Sequence, residues 1–203
     1  VGALVDRDGV PTRVRVRGGV VIASGGFERN PAMRDQYQPK PITTTWTMGV
    51  AENTGDGIRA GAAVGGALDL MDEAWWGPSL LTPEGKGAFT ERAEPRSMLV
   101  NGNGERYTNE AAPYVNVCHA MYRGEATGVT HVPSWFVVDE LYRRRYKLGP
   151  FLPRQPIPAA WFESGVAVKA QTIPELAAKI GVPADRLVAS VARMNELARI
   201  GKD

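Results

Sequence analysis

Ser97-Met98-Leu99-Val100-Asn101-Gly102-Asn103-Gly104-Glu105-Arg106-Tyr107-Thr108-Asn109-Glu110-Ala111-Ala112-Pro113-Tyr114 is the stretch around which this chain is organised. Residues 97–100 are a short apolar run that reads as a strand. Asn-Gly followed by Asn-Gly is a strong reverse-turn signal, because both residue types accept positive φ at little cost. Arg106 is placed to hold a strand end, and Asn109, Glu110 and Tyr114 then follow within six positions. A strand, a tight turn and a run of polar side chains is how a rigid frame presents chemistry to a cleft.

Outward from that stretch, 203 residues suffice for one large domain or two small ones with a real core. The hydrophobic fraction of 43%, the charged fraction of 23% and the net charge of +2 are those of an ordinary globular chain. They point to neither nucleic acid nor a membrane surface. No apolar run is long enough to span a bilayer. Arg123 and the Arg143-Arg144-Arg145 run read as solvated helix faces. A single cysteine, Cys118, excludes an internal disulfide and fits a reducing cytoplasm. The chain starts at Val1 in what reads as the middle of a strand, and stops at a helix-ending Gly201. The expectation is an internal piece of a longer protein.

Upstream, Val1–Val5 and Thr12–Val16 alternate around Asp8-Gly9, the pattern of a β-hairpin. Val20-Val21-Ile22-Ala23 has no alternation, which predicts a strand buried on both faces, as in a parallel sheet. The loop Ser24-Gly25-Gly26-Phe27 that ends it is either a tight turn or a backbone approached closely by a cofactor. Asn30-Pro31 starts a helix. Asn53-Thr54-Gly55-Asp56-Gly57 opens another, whose unpaired N–H groups and positive dipole end suit an electron-rich ligand. Asp56 is there either a cap or part of a ligand site. Leu68–Met71 reads as a strand. Trp75 and Trp76, beside Asp72 and Glu73, either line a pocket for a flat ligand or pack at a domain junction.

Residues 82–88 read as a loop. Asn109-Glu110 is expected to cap a helix running past Val117 to Tyr122. Pro133–Val138 is a predicted strand, Asp139–Tyr146 a helix, and 149–158 a stiff proline-rich extended segment. Thr172-Ile173-Pro174-Glu175 is a capping box opening a helix that Gly181 ends, and Ala184–Ala198 is a second helix. Two histidines and one cysteine form no metal-ligand spacing, and there is neither a phosphate-binding P-loop nor a nucleophile elbow. Large-cofactor loops and tyrosines as proton carriers remain.

Three of these motifs, Val20–Phe27, Asn53–Gly57 and Arg106–Glu110, resemble in order and spacing the signatures of the fumarate reductase/succinate dehydrogenase-type FAD flavoproteins. Ala74-Trp75-Trp76, Asn109–Tyr114 and Pro153–Pro158 most resemble the 3-ketosteroid dehydrogenases of that superfamily, the Δ1-dehydrogenases in particular. The resemblance covers nearly the whole chain.

It implies an α/β fold: part of a Rossmann-like FAD-binding domain over residues 1–80, followed by a mixed α/β catalytic domain over 81–203. It implies FAD as cofactor, approached by Ser24, Gly25, Gly26 and Phe27 and by Asn53, Thr54, Gly55, Asp56 and Gly57, and a steroid substrate touching Phe89 and Tyr114. Missing from the chain are the N-terminal dinucleotide fingerprint and a C-terminal segment that polarises the substrate's 3-ketone. On its own the chain is therefore expected to bind FAD poorly and to be inactive. Fumarate-type members carry an Arg five positions after the motif Asn, where it clamps a carboxylate. Here that position is Tyr114, a neutral phenol, which by resemblance takes the C2 proton of the steroid while C1 gives hydride to flavin. A free Tyr ionises near ~10, so such a phenol needs a stabilising neighbour or a polarised substrate. The alternatives are another enone or carboxylate reductase of the superfamily, and a non-enzymatic binding module.

Overall fold

The structure, a computed structural model, describes residues 2–83 and 85–202. The chain divides into two compact units, Val1–Gln38 with Ile42–Asp72 and Pro39–Pro41 with Glu73–Asp203.

In the first unit, β1 (Gly2–Arg7) and β2 (Val10–Arg15) form the expected antiparallel hairpin, in register from Gly2 opposite Arg15 to Arg7 opposite Val10. Asp8 and Gly9 both take positive φ, 54° and 81°, and the Asp6 carboxylate accepts from the Gly9 N–H. That is the two-residue turn whose twist matches paired strands. Val20–Ala23 does not form the expected strand: it lies exposed, with Val21 at 94%. An apolar run buried on both faces needs a neighbouring strand on each side, and no described segment pairs with it. Leu68–Met71 is also not a strand, and Leu70 sits at φ 51°, incompatible with a ladder.

Helix α1 (Pro31–Tyr37) begins where expected, with the Asn30 side chain accepting from the Met33 N–H and Pro31 in the first turn. Helix α2 (Asp56–Ala63) has Gly55, not Asp56, as its cap residue, at φ 81°. Asp56 instead pairs with Arg59 one turn on, and hydrogen bonds from Arg59 and then Thr54 hold its carboxyl below the ordinary value.

The second unit is built on β5 (Ser97–Val100), paired antiparallel with β6 (Trp135–Val138). All four β5 residues are buried. Because successive side chains point to opposite faces, the strand divides the core in two. Met98 and Val100 pack on one side with Ala177, Val182 and the fully buried Leu187. These come from α6 (Ile173–Ile180), α7 (Ala184–Ile200) and the link between them. On the other side Leu99 packs with Phe89 and Val117, the latter on α3 (Tyr114–Glu125). At α6 the Thr172 hydroxyl accepts from the Glu175 N–H, and Glu175 reaches back to the Gln171 N–H. Gly181 closes the helix at φ 73°.

Several expectations in this unit are corrected. Residues 82–88 are not a loop: β3 (Ser79–Thr82) and β4 (Gly85–Ala88) form an antiparallel hairpin. Gly85 and Gly87 hid the strand from a propensity reading, since a hairpin pairs backbone groups whatever the side chains. Neither Asn109 nor Glu110 caps α3, whose cap residue is Pro113. The Asn109 side chain closes its own turn on the Ala111 N–H at 2.8 Å.

Helix α4 (Glu140–Arg145) is capped by Asp139 as its sequence indicates. Arg143, expected on a solvated face, instead donates to the carbonyls of Tyr146, Leu152 and Gln155. It thereby folds the proline-rich segment into turns rather than leaving it extended; Arg154, at φ 65°, returns a hydrogen bond to the Arg143 carbonyl. The short α5 (Ala159–Glu163) follows, and its Trp161 packs edge-on against Phe151.

Candidate functional site

The two glycine-rich motifs of the first unit lie against each other. The Gly55 N–H donates to the Gly26 carbonyl at 3.0 Å, and the Arg29 N–H donates to the Asn53 carbonyl at 3.0 Å. The Asn30 amide donates to the Thr54 carbonyl, and the Asn53 amide to the Glu28 carboxylate at 2.6 Å. Side chains are excluded at the contact. A Cβ on Gly25 would run into the Asn53 side chain, one on Gly57 into Ser24 and Ile22, and one on Gly55 into Met33 and Phe27. Phe27 is buried, edge-on to Tyr37.

Ser24 and Gly25 are exposed next to the first turn of α2, which has no side-chain cap. A bare helix N-terminus beside an exposed loop almost without side chains fits an anionic, flat cofactor such as a flavin dinucleotide. Glu28 and Arg29, which help tie the two motifs together, carry no motif signature of their own, and Asn30 is marked in the sequence only as the cap of α1.

In the second unit Tyr114 is the first residue of α3, 43% exposed. The turn before it is rigid. The Asn101 side-chain oxygen accepts from the N–H groups of Asn103 and Glu105, both at 3.0 Å, and of the four turn residues Gly104 alone takes positive φ. Glu110 is buried; it accepts from the Leu99 N–H at 2.7 Å and pairs with Arg106 at 2.6 Å. Arg92, also buried, donates to the carbonyls of Phe89 and Ala112. Arg106 and Glu110 thus frame the approach to α3, as the sequence suggests.

Phe89 itself has its ring in the core, edge-on to Phe136 at 4.6 Å. Tryptophan 76 is buried against Tyr122, whereas Trp75 is 86% exposed, stacked beside Tyr114 with its indole N–H donating to the phenol oxygen.

Tyr114 is more exposed than the half-buried Tyr107 and the buried Tyr142. Burial pushes the Tyr107 phenol up to about 12, with its hydroxyl held by Ser134, and burial also raises Tyr142, bonded to the Glu91 carbonyl. Both stay protonated near neutrality. Burial raises the Cys118 thiol to about 11, so it is no nucleophile. His131 is buried, with Nδ1 against the Val129 carbonyl and Nε2 facing the Asn101 amide, which makes it a structural clip. Among the described residues no cluster of His, Cys, Asp and Glu is arranged to hold a metal ion, and no helix is long and apolar enough to cross a membrane.

The sequence matches the FAD binding domain family over residues 1–203. It is 50% identical over 199 residues to the 3-oxosteroid 1-dehydrogenase of Mycobacterium tuberculosis strain H37Rv, covering 95% of this chain and 35% of that protein. It is 34% identical over 200 residues to the 4-oxocyclohexanecarboxylate 2-dehydrogenase of Sinomonas cyclohexanicum, covering 94% of this chain and 33% of that protein. The crystal structure of the 3-ketosteroid Δ1-dehydrogenase of Sterolibacterium denitrificans, in complex with 1,4-androstadiene-3,17-dione, superposes with a TM-score of 0.87 at 42% identity. That match covers 100% of this chain and 37% of the other. The chain therefore spans little more than a third of the length of the proteins it matches.

Proposed function

The chain belongs to the FAD binding domain family, and from that membership we propose that it is part of an FAD-dependent 3-oxosteroid 1-dehydrogenase. The observation that carries this reading is Tyr114: an accessible neutral phenol on the first turn of a helix, at the position where binding a dicarboxylate calls for an Arg. The names of the relatives support it, since each denotes an enzyme that dehydrogenates a ring bearing a ketone.

In this proposal residues 1–80 are part of a Rossmann-like domain that holds FAD through Ser24–Phe27 and Asn53–Gly57. In the intact sheet Val20–Ala23 is an interior strand, which accounts for its apolar, unalternated composition. Residues 81–203 handle the substrate, with Phe89 supporting the wall of the steroid site and Tyr114 forming part of it. The single buried thiol of Cys118 is consistent with a reducing cytoplasm.

The reaction removes two hydrogens from neighbouring carbons. A bound flavin supplies the hydride acceptor. Tyr114, its own proton first released to solvent, takes the proton at C2, made acidic by the adjacent ketone, and the electrons of that C–H bond become the new C1–C2 double bond as C1 loses hydride. The positive end of α3 stabilises the phenolate that accepts this proton, and the negative charge leaves the phenol oxygen as the proton arrives.

The proposal is tested on the full-length protein, which should be yellow and should reduce a dye with a 3-ketosteroid but not with succinate. Activity on the dicarboxylate and none on the steroid overturns it in favour of the carboxylate reading. The flavin half is tested by Gly57→Val. Its side chain collides with Ser24 and Ile22, and overpacking of ~1–3 kcal/mol corresponds to FAD held roughly tenfold to a hundredfold less tightly. Retained flavin absorbance after dialysis measures it.

A further inference from the structure

We propose that Trp75 is a positioning residue for Tyr114, orienting its ring and stabilising its deprotonated oxygen. This inference rests on the assignment of Tyr114 as proton acceptor. Three observations carry it.

First, the contact has only one polarity. An indole N–H is a donor and has no acceptor capacity, so in the Trp75–Tyr114 hydrogen bond the phenol oxygen must accept. The phenol's own proton is left to point elsewhere, and a donor-only partner favours the oxygen when it carries negative charge. Second, the rings lie 25° from parallel with centroids 6.5 Å apart, so the contact fixes the phenol's plane as well as its oxygen.

Third, the exposed indole is held from both sides. Glu73 Oε2 lies 3.0 Å from Nε2 of His119 on α3, and the buried Trp76 packs on Tyr122 of the same helix at 5.4 Å. Tyr122 in turn donates to the Pro41 carbonyl at 3.2 Å. Residues 73–76 therefore form a strap pinned to α3, with Trp75 presented at Tyr114. Core packing does not explain an indole that is 86% exposed; the hydrogen bond and the stacking do.

The test uses the full-length flavin-loaded enzyme with a 3-ketosteroid deuterated either at C1 or at C2. Trp75→Phe keeps a ring and removes the donor. Loss of a hydrogen bond to a charged group corresponds to a fall of about tenfold to a hundredfold in kcat, with KM little changed. If Trp75 acts on the proton-abstraction step, the C2 isotope effect rises and the C1 effect falls. A fall in kcat with both isotope effects unchanged marks a merely structural role and overturns the inference, as does wild-type turnover. A second measurement is independent of turnover: in the 15N-tryptophan-labelled protein, the Trp75 indole proton moves upfield in Tyr114→Phe, and an unmoved resonance overturns the contact. Should Tyr114→Phe retain wild-type turnover, the assignment of Tyr114 itself fails. Should it collapse while Trp75→Phe behaves as wild type, only the role of Trp75 fails.

Discussion

In the full-length enzyme, Tyr114→Phe keeps the flavin spectrum and the affinity for steroid but lowers turnover by about two to four orders of magnitude, the range expected for removing a positioned general base. The substitution deletes one oxygen and nothing else. Phenylalanine retains the ring that stacks beside Trp75, and the site is half-exposed, so neither the core nor the helix start is disturbed. The glycine-rich flavin motifs belong to the other compact unit, so the flavin spectrum provides an internal control for folding. Because the lost interaction forms in the transition state, kcat and kcat/KM should fall together. Near-normal turnover removes Tyr114 from the chemistry. The neighbouring tyrosines offer no substitute: Tyr107 is half-buried and Tyr142 fully buried, and desolvation pushes both phenols up.

The sequence made the local elements of this fold legible wherever a short-range cause sufficed. Asp8-Gly9 closed a hairpin, Asn30 and Thr172 capped helices, Gly181 ended one, and β5 was visible as an apolar run before an Asn-Gly turn. Where the cause lies farther along the chain, the reading failed. Val20–Ala23 has the composition of an interior strand, but strand formation depends on neighbours that composition does not supply. Gly85 and Gly87 argue against a strand, yet pairing with β3 makes one.

The candidate site shows the same division. Residue types at fixed spacing marked Ser24–Phe27, Asn53–Gly57 and Tyr114. The contacts by which Glu28, Asn30 and Trp75 support them act across 25, 24 and 39 positions, so although Asn30 and Trp75 stand in visible motifs, these partners are not marked locally. Glu110 is an intermediate case. Its place in the motif was visible, but not its use, which is to satisfy the backbone of a strand 11 residues earlier.

That use gives Glu110→Ala the largest stability effect expected in this chain. Among the described residues β5 pairs with no strand but β6; its other side carries a single bridge, Val100 with Arg106, and there the Leu99 N–H donates to the Glu110 carboxylate. The same carboxylate pairs with Arg106, whose side chain is largely buried. Truncation to Ala therefore removes the acceptor of a buried backbone donor and the carboxylate set against a largely buried guanidinium at one stroke. Breaking such a pair from one side costs about 3–5 kcal/mol, because the remaining charge stays desolvated. In a chain of this size that corresponds to a melting temperature lower by roughly 10 °C. Glu110→Gln separates the two contributions: the amide oxygen still accepts from Leu99 while the charge opposite Arg106 is lost, so the destabilisation should be about half as large. Equal melting of the Gln and Ala variants would assign the whole effect to the ion pair. A wild-type melting temperature for Glu110→Ala would mean that water entering at the strand edge replaces the carboxylate as partner of the Leu99 N–H and of Arg106.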